Sequence, residues 1–154
     1  MVRVLIVDDE PAISDSLSII LGDAGYDVKC AVDGQAALQE ATVWKPDVIL
    51  SDLNMPRMGG EELLRQVRQT RALAHVPLVA MSALAPTPGL SFAGFLHKPF
   101  SVLAMLALVR RILCSPPSAT PCIKRRAPPH AAGIAARIFL QQNLPLPNDF
   151  FRGL

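Results

Sequence analysis

A chain of 154 residues that is 51% hydrophobic can bury one substantial core, which predicts a single globular domain with some chain left over at an end. No apolar run approaches the roughly eighteen residues of a membrane span, and the N-terminus enters "VRVLIVDDE" with no signal-peptide pattern, so a soluble, cytoplasmic protein is expected. The formal charge of +2 hides an asymmetry: residues 1–113 are net acidic, whereas residues 114–154 carry five basic groups against Asp149 alone.

In chain order, "VRVLIV" (2–7), "DVKCAV" (27–32), "DVILS" (47–51), "PLVAM" (77–81) and "GFL" (94–96) are short, almost continuously apolar runs of the kind found in buried parallel strands. Between the first two, Ile13, Leu17, Ile20, Leu21 and Ala24 fall at helical spacing. Asp33 is placed to cap a second helix bearing Ala37, Ala41 and Trp44, and Leu63, Leu64 and Val67 line a third behind Gly59-Gly60. Residues 101–113 read as a further helix. Between the fourth and fifth strands, where another is due, Pro86 and Pro88 each remove a backbone donor and push Ala85 and Thr87 toward extended conformations. At about 3 kcal/mol per interior proline, a regular helix over 84–90 is not expected.

This β-α alternation predicts an α/β fold, a doubly wound parallel sheet with helices on both faces and right-handed crossovers. Ligands of such sheets bind beyond the carboxyl ends of the strands. The residues there are Asp8, Asp9 and Glu10 after the first strand, Asp52, Leu53 and Asn54 after the third, Ser82 and Ala83 after the fourth, and Lys98-Pro99 after the fifth.

Asp8, Asp9 and Asp52 would meet at one sheet edge. Two like charges at 4 Å repel by about 1 kcal/mol in water and about 4 kcal/mol at an effective dielectric near 20, so stability is no reason to gather them. A hard divalent cation is: Mg²⁺ takes oxygen ligands, often one or two carboxylates with waters and phosphate oxygens. Beside it an ionised aspartate can attack phosphorus and form an aspartyl phosphate. Lys98 would neutralise phosphoryl oxygens, and the Ser82 hydroxyl would donate to them. Taken one at a time, Asp8-Asp9 reads as a solvated helix entry, Ser82 and Asp52 as turn residues and Lys98 as a surface charge; their coincidence on one edge favours the functional reading.

Four segments, "VLIVDDEP", "DVILSDLNMPRMGGEELL", "VPLVAMSA" and "AGFLHKPF", resemble in order the signatures of the receiver domain of bacterial two-component response regulators. The resemblance spans about residues 2–113. It implies a flavodoxin-like, five-stranded sheet of order 2-1-3-4-5, and a phosphoacceptor Asp52 supplied by a sensor histidine kinase or a histidine phosphotransfer protein. It also implies Mg²⁺ held by Asp9 and Asp52 directly, by Asp8 through water and by the backbone carbonyl of Asn54. Ser82 takes the place of the family's switch hydroxyl, Lys98 that of its phosphate-binding lysine, and Lys98-Pro99 that of a commonly cis peptide. Phe95 stands at the aromatic switch position, and with no hydroxyl to satisfy it is expected to prefer a buried rotamer.

The shortened interval from Ser82 to Lys98 departs from the family, whose fourth helix there commonly contacts output partners or a second copy. In the last helix Leu103, Leu106 and Ile112 are expected to face the sheet, leaving Met105 and Leu108 partly exposed as a partner surface. Residues 114–154 hold seven of the fourteen prolines, which predicts a flexible tail with at most a short helix over 131–142 and no dedicated DNA-binding domain.

The expected role is a stand-alone regulator or relay intermediate, or a phosphate sink, that acts through an unknown downstream protein, with a homodimer among its expected contacts, and catalyses nothing beyond its own phosphorylation and dephosphorylation. An aspartate-nucleophile phosphohydrolase shares this chemistry but normally has an acid/base carboxylate two residues after the nucleophile, where Asn54 stands. A nucleic-acid or membrane binder using "IKRR" and Arg137 would rest on weak, salt-sensitive attraction.

Overall fold

The computed structural model describes residues 1–114. Five parallel strands, β1 (Arg3–Val7), β2 (Asp27–Ala31), β3 (Val48–Asp52), β4 (Leu78–Ser82) and β5 (Gly94–His97), form one sheet of order β2-β1-β3-β4-β5. Four helices connect or follow them: α1 (Pro11–Asp23), α2 (Gly34–Trp44), α3 (Gly60–Gln69) and α4 (Val102–Cys114). This is the doubly wound, flavodoxin-like arrangement the sequence predicts. The central strands β3 and β4 are buried along their whole length, which explains their unbroken apolar sequence.

Alternation along each strand divides the core between the two faces. Val4, Ile6, Val48, Leu50, Val79, Met81 and Leu96 meet α1 and α4 on one face. Leu5, Val7, Ile49 and Leu78 meet α2 and α3 on the other. The segment between β4 and β5 contains no helix, as its prolines predict. Leu90 and Phe92 from this connector still pack against the α2/α3 core and cover part of the area a helix would occupy.

The face of α4 differs from expectation. Met105 and Leu108 are buried together with Leu106 and Val109, whereas Leu103 and Ile112 are only half-buried, so the proposed partner surface on Met105 and Leu108 is absent. The cause lies in β5. A Cβ on Gly94 would stand 2.9 Å from Leu108 Cδ1, and the missing side chain makes room for Leu108 to seat against the strand. Residues 105, 106, 108 and 109 then form a continuous helical stripe over the sheet. The expectations for residues 115–154, including the helix over 131–142, the basic run and Arg137, lie outside the described residues.

Candidate phosphoacceptor and metal site

The parallel sheet brings the ends of β1, β3, β4 and β5 to the same edge, and strand order reverses between β1 and β3. Asp8 and Asp9 follow β1, Asp52 ends β3, Ser82 ends β4 and Lys98 follows β5. One carboxylate oxygen from each of Asp8, Asp9 and Asp52 lies within 4.8 Å of the other two. Asp8 and Asp52 are buried, at 1% and 7% exposure, whereas Asp9 is open to solvent. Buried carboxylates need partners. Lys98 Nζ donates to Asp52 Oδ2 at 2.6 Å and to Asp8 Oδ2 at 3.1 Å. The remaining oxygens accept backbone N–H groups: Asp52 Oδ1 from Asn54 at 3.0 Å and Asp8 Oδ1 from Glu10 at 2.9 Å.

One ammonium thus bridges two of the three carboxylates. Burial alone would lower the pKa of Lys98, but the hydrogen bonds and charges of Asp52 and Asp8 outweigh it and raise the pKa above the ordinary lysine value. Lys98 is therefore charged at neutral pH. Clustered hard oxygen donors with one solvent-facing member suit a divalent cation such as Mg²⁺, which retains part of its water shell. The donor set accordingly fits the metal implied by the sequence.

Ser82 is buried, and its Oγ accepts the Leu84 N–H at 3.1 Å. Its carbonyl accepts the Lys98 N–H at 2.9 Å, tying the β4 end to the lysine-bearing turn. The Lys98-Pro99 peptide is cis. Phe95 is half-buried and belongs to neither core cluster; it meets His97 edge to face at 6.4 Å between centroids. Its intermediate exposure neither realises the expected buried rotamer in full nor turns the ring out to solvent. Leu96 faces α1 and α4, so alternation turns Phe95 and His97 to the sheet face that lacks a helix beside β5.

Two clasps around the site escaped the sequence reading. Asp33 Oδ1 accepts the Ala36 N–H at 2.8 Å, as its capping role predicts, and its Oδ2 accepts both Nε and Nη2 of Arg57. These donors hold the Asp33 carboxyl below the usual carboxylate range, with the Ala36 N–H the largest cause and Arg57 next. In the second clasp Glu61 accepts the Thr87 N–H at 2.7 Å and the Thr87 hydroxyl at 2.9 Å, fastening the connector to the first turn of α3. Both Thr87 bonds lower the Glu61 pKa. Between connector and α3, beside Ser82 and Asn54, lies a cleft of about 390 Å³ also lined by Leu53, Glu61, Arg65 and Leu84. No spacing rule links residues 24 or 26 apart, and the positive φ of Arg57 (66°) is visible only in the folded structure.

Comparison with known proteins agrees with this geometry. Residues 4–110 match the response regulator receiver domain family. The chain is 41% identical over 120 residues to the DNA-binding dual master transcriptional regulator RpaA of Synechocystis sp., covering 73% of this chain and 49% of that protein. It is 34% identical over 158 residues to the response regulator MprA of Mycolicibacterium vanbaalenii, covering 99% of this chain and 64% of that one. The chain thus spans about half to two-thirds of the length of these relatives. Among solved structures, the chemotaxis response regulator CheY4 of Vibrio cholerae superposes with a TM-score of 0.68 at 35% identity, over 73% of this chain and 98% of that one.

Proposed function

The chain belongs to the response regulator receiver family, and from that premise we propose that it is a phosphoacceptor whose Asp52 takes a phosphoryl group from a phosphohistidine donor, a sensor histidine kinase or a histidine phosphotransfer protein. The observation that carries this reading is the bond between Lys98 Nζ and Asp52 Oδ2, made inside a cluster of three carboxylates at the switch point of the sheet. A carboxylate oxygen of Asp52 attacks phosphorus, the P–N bond to the donor imidazole breaks, and the imidazole leaves with the bond's electron pair. Lys98 then has a phosphoryl oxygen in reach, in addition to the carboxylates it holds at rest.

Mg²⁺ held by Asp9, Asp52 and the Asn54 carbonyl, with Asp8 acting through water, would offset the charge that accumulates at the phosphoryl oxygens. The protein residues supply the nucleophile, the fixed ammonium and the Ser82 hydroxyl. Recruiting that hydroxyl to phosphate would loosen the Leu84 N–H from Ser82 Oγ and so reach the connector, with Phe95 beside it. In this reading the phosphoryl group shifts a two-state equilibrium through the connector face, where the signal passes to a downstream protein.

The chain would act in the cytoplasm, where such donors operate; no helix among the described residues is long and apolar enough to cross a membrane. RpaA is a DNA-binding regulator by its name, and a matching output for this chain would require residues beyond the described domain. Autophosphorylation and dephosphorylation at Asp52 are the only catalysis proposed.

The test is incubation with Mg²⁺ and a small-molecule phosphodonor followed by intact mass measurement. Wild type should gain one phosphoryl group and Asp52→Ala none. Rapid turnover of phosphate monoesters would favour the phosphohydrolase instead.

A further inference from the structure

The loop from Leu53 to Gly59 joins the phosphoacceptor to α3 and bears the Asn54 carbonyl expected at the metal. One end is fixed at the sheet: the Gly60 N–H donates to the Leu53 carbonyl at 3.2 Å, and the Leu53 N–H to the Met81 carbonyl at 3.2 Å. The other end is fixed on α2. The Gly34 N–H donates to the Met58 carbonyl at 3.0 Å, and a Cβ on Gly34 would stand 2.6 Å from Met58 Cγ, so the loop lies directly against the helix start. Arg57, at a positive φ of 66°, reaches back to Asp33, the residue that caps α2.

Resting on the reading of a metal-assisted phosphoacceptor, we propose that Arg57 and Asp33 are positioning residues for the divalent cation: their pair holds the loop so that the backbone of Asn54 is set for the metal before it arrives. A side-chain ligand can rotate to meet an ion. A backbone carbonyl can do so only if the loop moves, so the loop's second anchor bears directly on metal affinity. Groups that orient metal ligands without touching the metal commonly govern affinity in this way. Asp33 serves both sides of the arrangement, because the carboxylate that caps the N-terminus of α2 is the one that receives the loop.

The sign of the effect separates positioning from simple charge. Deleting Arg57 removes a positive charge from the loop that follows Asp52 and leaves Asp33 without its counter-charge, and electrostatics alone would make Mg²⁺ bind more tightly. Positioning requires weaker binding. Arg57→Gly is the suitable variant, since glycine adopts the positive φ without strain and leaves the Asp33 cap intact.

The experiment is an Mg²⁺ titration of the full-length, unphosphorylated chain, read from the backbone amide resonances of residues 52–58, with thermal unfolding of each variant measured in the absence of metal. Arg57→Gly should weaken Mg²⁺ binding about tenfold, and Arg57→Lys, which keeps the charge and one donor, should fall between it and wild type. Equal or tighter binding in Arg57→Gly, with or without a lower melting temperature, would overturn the inference while leaving the phosphoacceptor reading in place. A wild-type chain that shows no Mg²⁺ response would overturn both.

Discussion

Asp9 is the exposed member of the acidic trio, while Asp8 and Asp52 share the Lys98 ammonium. Without metal its charge repels two neighbours and has little to offset it. Asp9→Asn should therefore stabilise the metal-free protein by about 1 kcal/mol, the scale of two like charges at 4 Å in water. The same substitution should abolish the rise in melting temperature that Mg²⁺ gives the wild type, because a ligand that binds only the folded state stabilises by mass action. Thermal unfolding with and without Mg²⁺ checks both halves. An unchanged metal-free midpoint would mean that solvent screens the trio completely. At this scale the sequence was informative wherever chemistry fixes a residue to a strand end, as for Asp8, Asp9, Asp52, Ser82 and Lys98. Side-chain pairs that depend on how loops meet, Arg57 with Asp33 and Thr87 with Glu61, have no local signature and needed the assembled fold.

Among the elements, α3 begins hard against β3, the strand that ends in Asp52. A Cβ on Gly60 would stand 2.4 Å from the Asp52 carbonyl oxygen and 3.0 Å from Ser51 Oγ, and that carbonyl belongs to a buried strand that cannot yield cheaply. Gly60→Ala should cost on the order of 1–3 kcal/mol, the range of overpacked cores. Gly22, inside α1 with nothing within 4 Å of its would-be Cβ, is the control: Gly22→Ala should stabilise by about 0.5–1 kcal/mol. Chemical denaturation of the two variants tests the contrast. The connector is held differently. Among the described residues, Thr87 provides the hydrogen bonds that tie its middle to the rest of the fold, and Glu61 receives both. The folded pKa of Glu61 lies below its unfolded value, so the clasp contributes fully above the unfolded value and is lost as pH falls through the lower, folded one. The Thr87 amide resonance should titrate with a midpoint below the usual glutamate range and should stop responding there in Glu61→Gln. Prolines made the missing helix legible in advance. The face of α4 was not, because choosing between stripes through Met105 and through Leu103 depended on Gly94, a residue without a side chain on a different element.

Over the whole molecule, two apolar layers close around one sheet within residues 1–114, and the edge where strand order reverses collects every group the proposed chemistry requires. The fold was predictable because fully buried parallel strands and amphipathic helices write their period into the sequence, and because motif order fixed which strand ends would meet. How the helix-free connector packs was not, since Leu90, Phe92 and Thr87 find partners on other elements rather than in a local pattern. The architecture keeps the acidic edge of Asp8, Asp9 and Asp52 and has, where a helix was due between β4 and β5, a segment clasped by one carboxylate. The proposed function depends on Asp52 being the residue that carries phosphate. The most direct measurement is reductive trapping: treat the full-length chain with Mg²⁺ and a small-molecule phosphodonor, reduce the acyl phosphate with borohydride, and map the converted residue by peptide mass spectrometry. The account predicts conversion of Asp52 to homoserine, dependent on both Mg²⁺ and donor. Conversion at another carboxylate, or none under conditions that label a known receiver, would contradict it.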